Sequence, residues 1–180
     1  MGNPNRKGCA TWCLLAFAIV LASGVVHPAE SELIPRLEGR VTDIANILSA
    51  ADRERLVGIL ARYEEETFHQ LAILTVPTLS GESIESFSMR VANSWGLGQK
   101  GLDNGVLIVL AIKERQVRIE LGLGMQKFVS NATAQSIINT AMVPCFRRAD
   151  YAGGLESGLD QLMREARTFV VAPADVQRSK

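Results

Sequence analysis

Histidine and cysteine are scarce in this 180-residue chain, and their scarcity removes whole classes of chemistry. Of the two histidines, His27 stands near the N-terminus and only His69 lies well inside the chain, which excludes a His-rich metal centre or a long proton relay. Of the three cysteines, Cys9 and Cys13 precede or begin an apolar leader, so Cys145 is left alone and no intramolecular disulfide can involve it once they are gone. Its setting, Met-Val-Pro-Cys-Phe, is that of a packed thiol rather than a reactive one. Net charge is missing too. With 19 basic residues against 19 acidic ones, no basic surface points to nucleic acid and no acidic tail points to disorder. There is no P-loop sequence and no internal repeat.

The leader itself is informative. Arg6 and Lys7 precede an uncharged stretch, residues 8–26, centred on LLAFAIVLA and followed by small residues around Ala22-Ser23-Gly24. This is the composition of a secretory signal. The expected organisation is a signal peptide over 1–24, or an uncleaved anchor, since about 19 apolar residues just span a hydrocarbon core of roughly 30 Å. A lead-in over 25–39, a domain over 40–171 and a disordered tail over 172–180 follow. A lipid-accepting cysteine would stand where Gly24 and Val25 are. The protein is therefore expected outside the cytoplasm, in a periplasmic or other extracytoplasmic space, touching membrane only through an uncleaved leader.

Within the domain, Ser49-Ala-Ala-Asp52 resembles a capping box, and Leu56, Ile59, Leu60 and Tyr63 recur at helical spacing over about 50–66. Residues 71–76 form a short apolar run closed by Pro77, the pattern of a buried strand. Ile84, Phe87, Val91 and Trp95 predict a second helix from Ser83 to Gly96, with Trp95 as a core anchor. Residues 106–112 and 116–121 read as a hairpin turned by Lys113-Glu-Arg115; Val117, Ile119 and Leu121 alternate with polar residues. Asn131 is the expected cap of a helix that stops before Pro144, and Gly153-Gly154 is expected to open the last helix. The order predicts an α/β fold: a three-layer α/β/α domain with a mixed sheet of about four strands covered by helices.

One motif invites a nucleotide reading. WGLGQKGLDNG, beginning at Trp95, contains G-x-G-x-x-G. A dinucleotide cradle needs strand, glycine turn and then helix, so that amides and the positive helix end meet phosphate. Here the order is helix, glycine turn, strand. A second pair, Gly122 and Gly124, follows a strand, but Lys127 stands where a third glycine belongs. No nucleotide cofactor is expected. An antiparallel hairpin does, however, bring Asp103 and the glycines after Leu121 to one rim, with Glu120 close by.

Pro35, Gly39-Arg-Val-Thr-Asp43, Ile47-Leu-Ser49, Trp95-Gly-Leu-Gly-Gln-Lys-Gly101, Asp103-Asn-Gly105, Arg118-Ile-Glu-Leu-Gly122, Pro144 and Asp150-Tyr-Ala-Gly153 follow one another in order. Over about 35–165 this pattern resembles the TPM domain family, named for a thylakoid lumen phosphatase, a photosystem II repair protein and a nematode receptor modulator. The resemblance implies an exported or membrane-tethered α/β/α domain. Some members of the family bind calcium or other divalent ions and act as acid phosphatases. The family run after the third strand is typically Gly-Tyr-Gly-Leu-Glu, with an Asp soon after; this chain has Gln126 and Asn131 at those places and adds Lys127. The implied metal set is Asp43, Asp103, Glu120, Gln126 and Asn131.

Amide oxygens bind a hard cation without neutralising it, and a lysine on the same rim repels it by about 1–4 kcal/mol. At most a weakly held divalent cation, calcium or magnesium, is expected. Arg115, Arg118 and Lys127 are the candidates for holding an anion. The expected role is an accessory module for another envelope or membrane protein, with little or no catalysis; the alternative is a divalent-metal-dependent acid phosphatase.

Overall fold

The computed structural model describes residues 34–167. The leader over 1–24, most of the lead-in and the tail over 172–180 lie outside the described residues, as do the export and anchoring expectations that rest on them. Among the described residues, no helix is long and apolar enough to cross a membrane.

The chain opens with β1 (Val41–Asp43), then α1 (Ala50–Thr67), β2 (Gln70–Val76), α2 (Ile84–Trp95), β3 (Gly105–Ala111) and β4 (Gln116–Leu121). A 3-10 turn (Met125–Lys127) leads to α3 (Asn131–Ile137), a π segment (Ile138–Met142), α4 (Val143–Phe146) and α5 (Tyr151–Ala166). The four strands form one sheet in chain order, β1-β2-β3-β4. The first three are parallel and β4 runs antiparallel to β3, with Val106 opposite Leu121 and Ala111 opposite Gln116.

Local chemistry sets the helix ends. Ser49 and Asp52 form the reciprocal capping box that starts α1, satisfying two otherwise orphaned amides. Ser83 caps α2, and Gly96 ends it in the left-handed conformation at φ 61°. Two boundaries differ from the sequence expectation. Ser130, not Asn131, caps α3, its hydroxyl accepting from the Thr133 amide; Asn131 is the first helical residue. Asp150 caps α5, three residues ahead of Gly153, by accepting from the Gly153 amide.

The helix also does not stop before Pro144. The wider turns of the π segment end at Met142, and a fresh helical turn starts at Val143 with Pro144 in its first positions, where a missing N–H costs nothing.

Alternate residues of the sheet face two separate cores. Leu71, Ile73, Val106, Ile108, Ile119 and Leu121 pack with α1, α3 and α5. Ala72, Leu74, Val76, Leu107, Val109 and Ala111 pack with Ile84, Phe87 and Val91 of α2. The domain thus has three layers, with several helices on one face and a single helix on the other. Leu56 and Leu60 are wholly buried on the thicker side, each contributing roughly 1.5–3 kcal/mol.

Trp95 is only half-buried; it packs against the α2 core and its indole N–H donates to the Pro35 carbonyl at 2.7 Å. Ile34 packs against the same cluster, so ordered contacts begin within the lead-in.

Both crossovers, β1-α1-β2 and β2-α2-β3, advance the same way across the sheet, yet α1 and α2 lie on opposite faces. One of them therefore has the left hand, which is rare in such units.

Candidate functional site

The glycine-rich segments meet at one rim. Gly122 donates to the Gly105 carbonyl at 2.9 Å and Gly124 to the Asp103 carbonyl at 3.0 Å, extending the hairpin pairing past its strands. The approach is too close for side chains: a Cβ on Gly122 would stand 2.2 Å from the Asp103 oxygen, and one on Gly124 1.8 Å from the Leu102 oxygen. Both glycines are therefore spacers that let two backbones touch. Within WGLGQKGLDNG, the Gly98 amide donates to the Gln70 side chain at 2.9 Å and the Gln99 amide to Asn104 Oδ1 at 2.7 Å. Those donors close the loop on itself, and α2 meets it with its carbonyl end.

Asp103 stands at the mouth of a cleft of about 330 Å³ bounded by α2, the start of β3 and the loop after β4. Met89, Asn93, Leu97, Glu120, Leu123 and Gln126 share its lining. Asp103 is exposed and held at φ 48°, a conformation that a short polar side chain tolerates.

Glu120 is already engaged. Arg118 Nε donates to it at 2.7 Å and the Ser88 hydroxyl at 2.8 Å, and Arg118 also reaches that hydroxyl at 3.1 Å. The Arg118 and Glu120 side chains are only 28% and 15% exposed, so this pair is screened less than a surface ion pair. Gln126 donates its side-chain amide to the Leu121 carbonyl at 3.1 Å.

The structure thus gathers Asp103, Glu120 and Gln126 and separates the rest of the implied metal set. Asp43 aligns with Thr75 and, through it, with Leu110, at the far end of the sheet from Asp103. At roughly 3.3 Å per residue the two acids are about 20 Å apart along the strands. Asp43 is buried and accepts from the Leu48 amide at 3.0 Å, the Ile47 amide at 3.3 Å and the Thr75 hydroxyl, which ties the β1–α1 turn to β2. Asn131 lies in a different recess, beside Glu85 and Arg118. No group of three His, Cys, Asp or Glu residues is placed to hold a metal among the described residues. The donors here do not fit the carboxylate-rich shell that a hard divalent cation prefers.

The expected anion set is dispersed as well. Arg118 is neutralised by Glu120, Lys127 is exposed beside Gln126, and Arg115 sits in the hairpin turn at the opposite end of β4. Sequence reading missed Ser88, which is wholly buried. Its signal was available: it occupies the inner stripe of α2, between Ile84, Phe87 and Val91, where a hydroxyl requires a partner.

The family model of the TPM domain matches residues 41–165. This chain belongs to the TPM domain family. A solved N-terminal domain of a protein from P. gingivalis is 32% identical, covers 71% of this chain and 82% of its own, and superposes with a TM-score of 0.65. The BA42 protein of the psychrophilic bacterium Bizionia argentinensis is 22% identical over 73% of this chain and 90% of its own, at a TM-score of 0.62. The N-terminal domain of the Corynebacterium glutamicum protein cg2496 is 16% identical over 78% and 88%, at 0.57. The last two are alike in fold alone. No curated protein matches the chain. The family match and these neighbours agree with the α/β/α architecture and the mixed four-stranded sheet of this TPM domain.

Proposed function

We propose that this TPM domain is exported and acts by binding, as an accessory module for another envelope or membrane protein, with weak divalent-cation association and no catalysis of its own. One observation supports this reading. In the cleft where the glycine segments meet, Asp103 offers a carboxylate with no partner among the described residues, while Glu120 is held by Arg118 and Ser88 and the next donor is the amide Gln126. Metal-assisted phosphoryl transfer needs cations to neutralise the transferring group and to activate water, and one free carboxylate is a poor anchor for them.

The test is calorimetric titration with calcium, magnesium and manganese, run beside hydrolysis of an aryl phosphate. The expected result is binding no tighter than about 10⁻⁴ M, in the range of weak extracellular calcium sites, and no metal-dependent turnover. Turnover that requires metal and disappears in Asp103→Asn would establish the phosphatase alternative instead. Gln126→Glu, which restores an acid inside the cleft, is expected to raise affinity. Asn131→Asp, which adds one in the separate recess, is expected to leave it unchanged. Export has its own readout. The purified protein is expected to begin near Val25, and an intact Met1 or Gly2 would overturn cleavage.

A further inference from the structure

A second and larger cavity, about 710 Å³, opens at the other end of the hairpin. Its floor is apolar: Leu110, Ala111, Val117 and Val143, closed by the rings of Phe146 and Tyr151 with centroids 5.9 Å apart. Its rim carries two guanidinium groups, Arg115 from the hairpin turn and Arg147 from the end of α4. Among the described residues neither side chain has a partner and no acid lines the cavity. The nearest acid in the turn, Glu114, is directed elsewhere: its carboxylate accepts from the Thr78 hydroxyl at 2.7 Å and the Leu79 amide at 3.1 Å. Arg148, next to Arg147, is also occupied, donating to the Pro144 carbonyl at 2.9 Å.

Three further features make this a formed site. The cavity lies outside the carboxyl end of β3, beside the turn into β4. Two of its walls are tight turns, each with a non-glycine residue in the left-handed region, Arg115 at φ 54° and Ala149 at φ 60°. Its volume falls within the range of small-molecule pockets, and its lining mixes apolar surface with polar groups.

We infer that the cavity formed by the β3–β4 turn and the α4–α5 junction binds a small organic anion, a carboxylate or phosphate joined to an aromatic or bulky apolar body. Arg115 and Arg147 clamp the anionic head from opposite walls, and the body lies against Phe146, Tyr151 and Val117. Guanidinium suits either head because its planar donors match two oxygens at once. The inference is independent of the Asp103 cleft, which lies at the other end of β3 and β4.

Two minimal probes test it, 1-naphthoate and 1-naphthyl phosphate, titrated into the protein as it accumulates on expression while backbone amide resonances are followed. At least one probe is expected to give saturable shifts confined to residues 110–117 and 143–151, and the tighter of the two identifies the head group. Neutral 1-naphthalenemethanol and bare acetate are expected to bind at least tenfold more weakly, because each lacks half of the match. Arg115→Gln and Arg147→Gln, both on exposed residues, are each expected to raise Kd at least fivefold with the far-ultraviolet spectrum unchanged. Absence of saturable shifts with both probes would overturn the inference. So would shifts centred on Asp103 and Gln126, or variants that bind as well as the parent.

Discussion

Replacing Gly124 by alanine tests whether the glycines of the rim are spacers. Gly124 has an ordinary right-handed backbone at φ −65°, so alanine meets no conformational penalty there; the whole effect is steric. The new methyl would lie 1.8 Å from the Leu102 oxygen, and side-chain Cβ atoms keep at least 3.0 Å away, so the two segments must separate by about 1.2 Å. That displacement breaks the hydrogen bond from Gly124 to the Asp103 carbonyl and strains the neighbouring one from Gly122 to Gly105. Each partly buried bond lost costs about 1–3 kcal/mol, giving an expected destabilisation of about 2–4 kcal/mol. Gly58→Ala is the matched control, since Gly58 lies within α1 with open space around its Cβ position. It is expected to gain roughly 0.5–1 kcal/mol from helix propensity. Urea unfolding followed by circular dichroism reads both. A loss below 1 kcal/mol for Gly124→Ala would show that the rim yields freely and would refute the close-approach argument.

Two further outcomes follow from buried polar groups. Asp43→Ala strips the Ile47 and Leu48 amides and the Thr75 hydroxyl of their acceptor and is expected to cost about 2–4 kcal/mol in denaturant unfolding, while leaving cation titrations unchanged. A weakened metal response in that variant would contradict the placement of Asp43 far from the cleft. His69 is wholly buried beside the Tyr63 hydroxyl, and burial holds its pKa below the ordinary 6.5. The unfolded chain therefore takes up a proton before the folded one, and stability should fall as pH drops below 6.5, by at most about 1.4 kcal/mol per pH unit. Above that pH both states are neutral and the effect vanishes. Glu82 and Glu114 are lowered by Arg90 and by Thr78 respectively, so their contribution is lost only below their ordinary 4.5, and the window between belongs to His69. His69→Gln is expected to flatten that window when thermal unfolding is recorded across it.

The legible parts of the fold were those specified by neighbouring residues. Ser49 with Asp52 announced α1, the alternation at Val117, Ile119 and Leu121 announced the hairpin, and the order of helix before glycines removed the phosphate cradle. The rim uniting Asp103 with Gly122 and Gly124 was legible too, because an antiparallel hairpin fixes which ends meet.

What escaped depended on direction and on distant packing. β1 is three residues long, and only its parallel pairing with β2 sends Asp43 to the opposite end of the sheet. No periodicity carries that information. Arg118 looked free although Glu120, its ion-pair partner, stands two residues along the same strand; what escaped was Ser88 of α2, which reaches both from a distant element. Pro144 looked like a stop because a π segment, which absorbs the mismatch, has no simple sequence signature.

The agreement between strand order in the sheet and strand order in the chain has a kinetic consequence. Every strand that leaves the synthesis machinery finds its earlier neighbour already made, so no edge has to wait for a distant segment before it can be zipped. Pairing each strand with the one before it keeps each crossover as short as a parallel sheet allows, and shorter loops cost less entropy to close. The last strand, β4, arrives joined to β3 by a tight turn. The chain can thus lay down its sheet from one side to the other, in step with its own elongation.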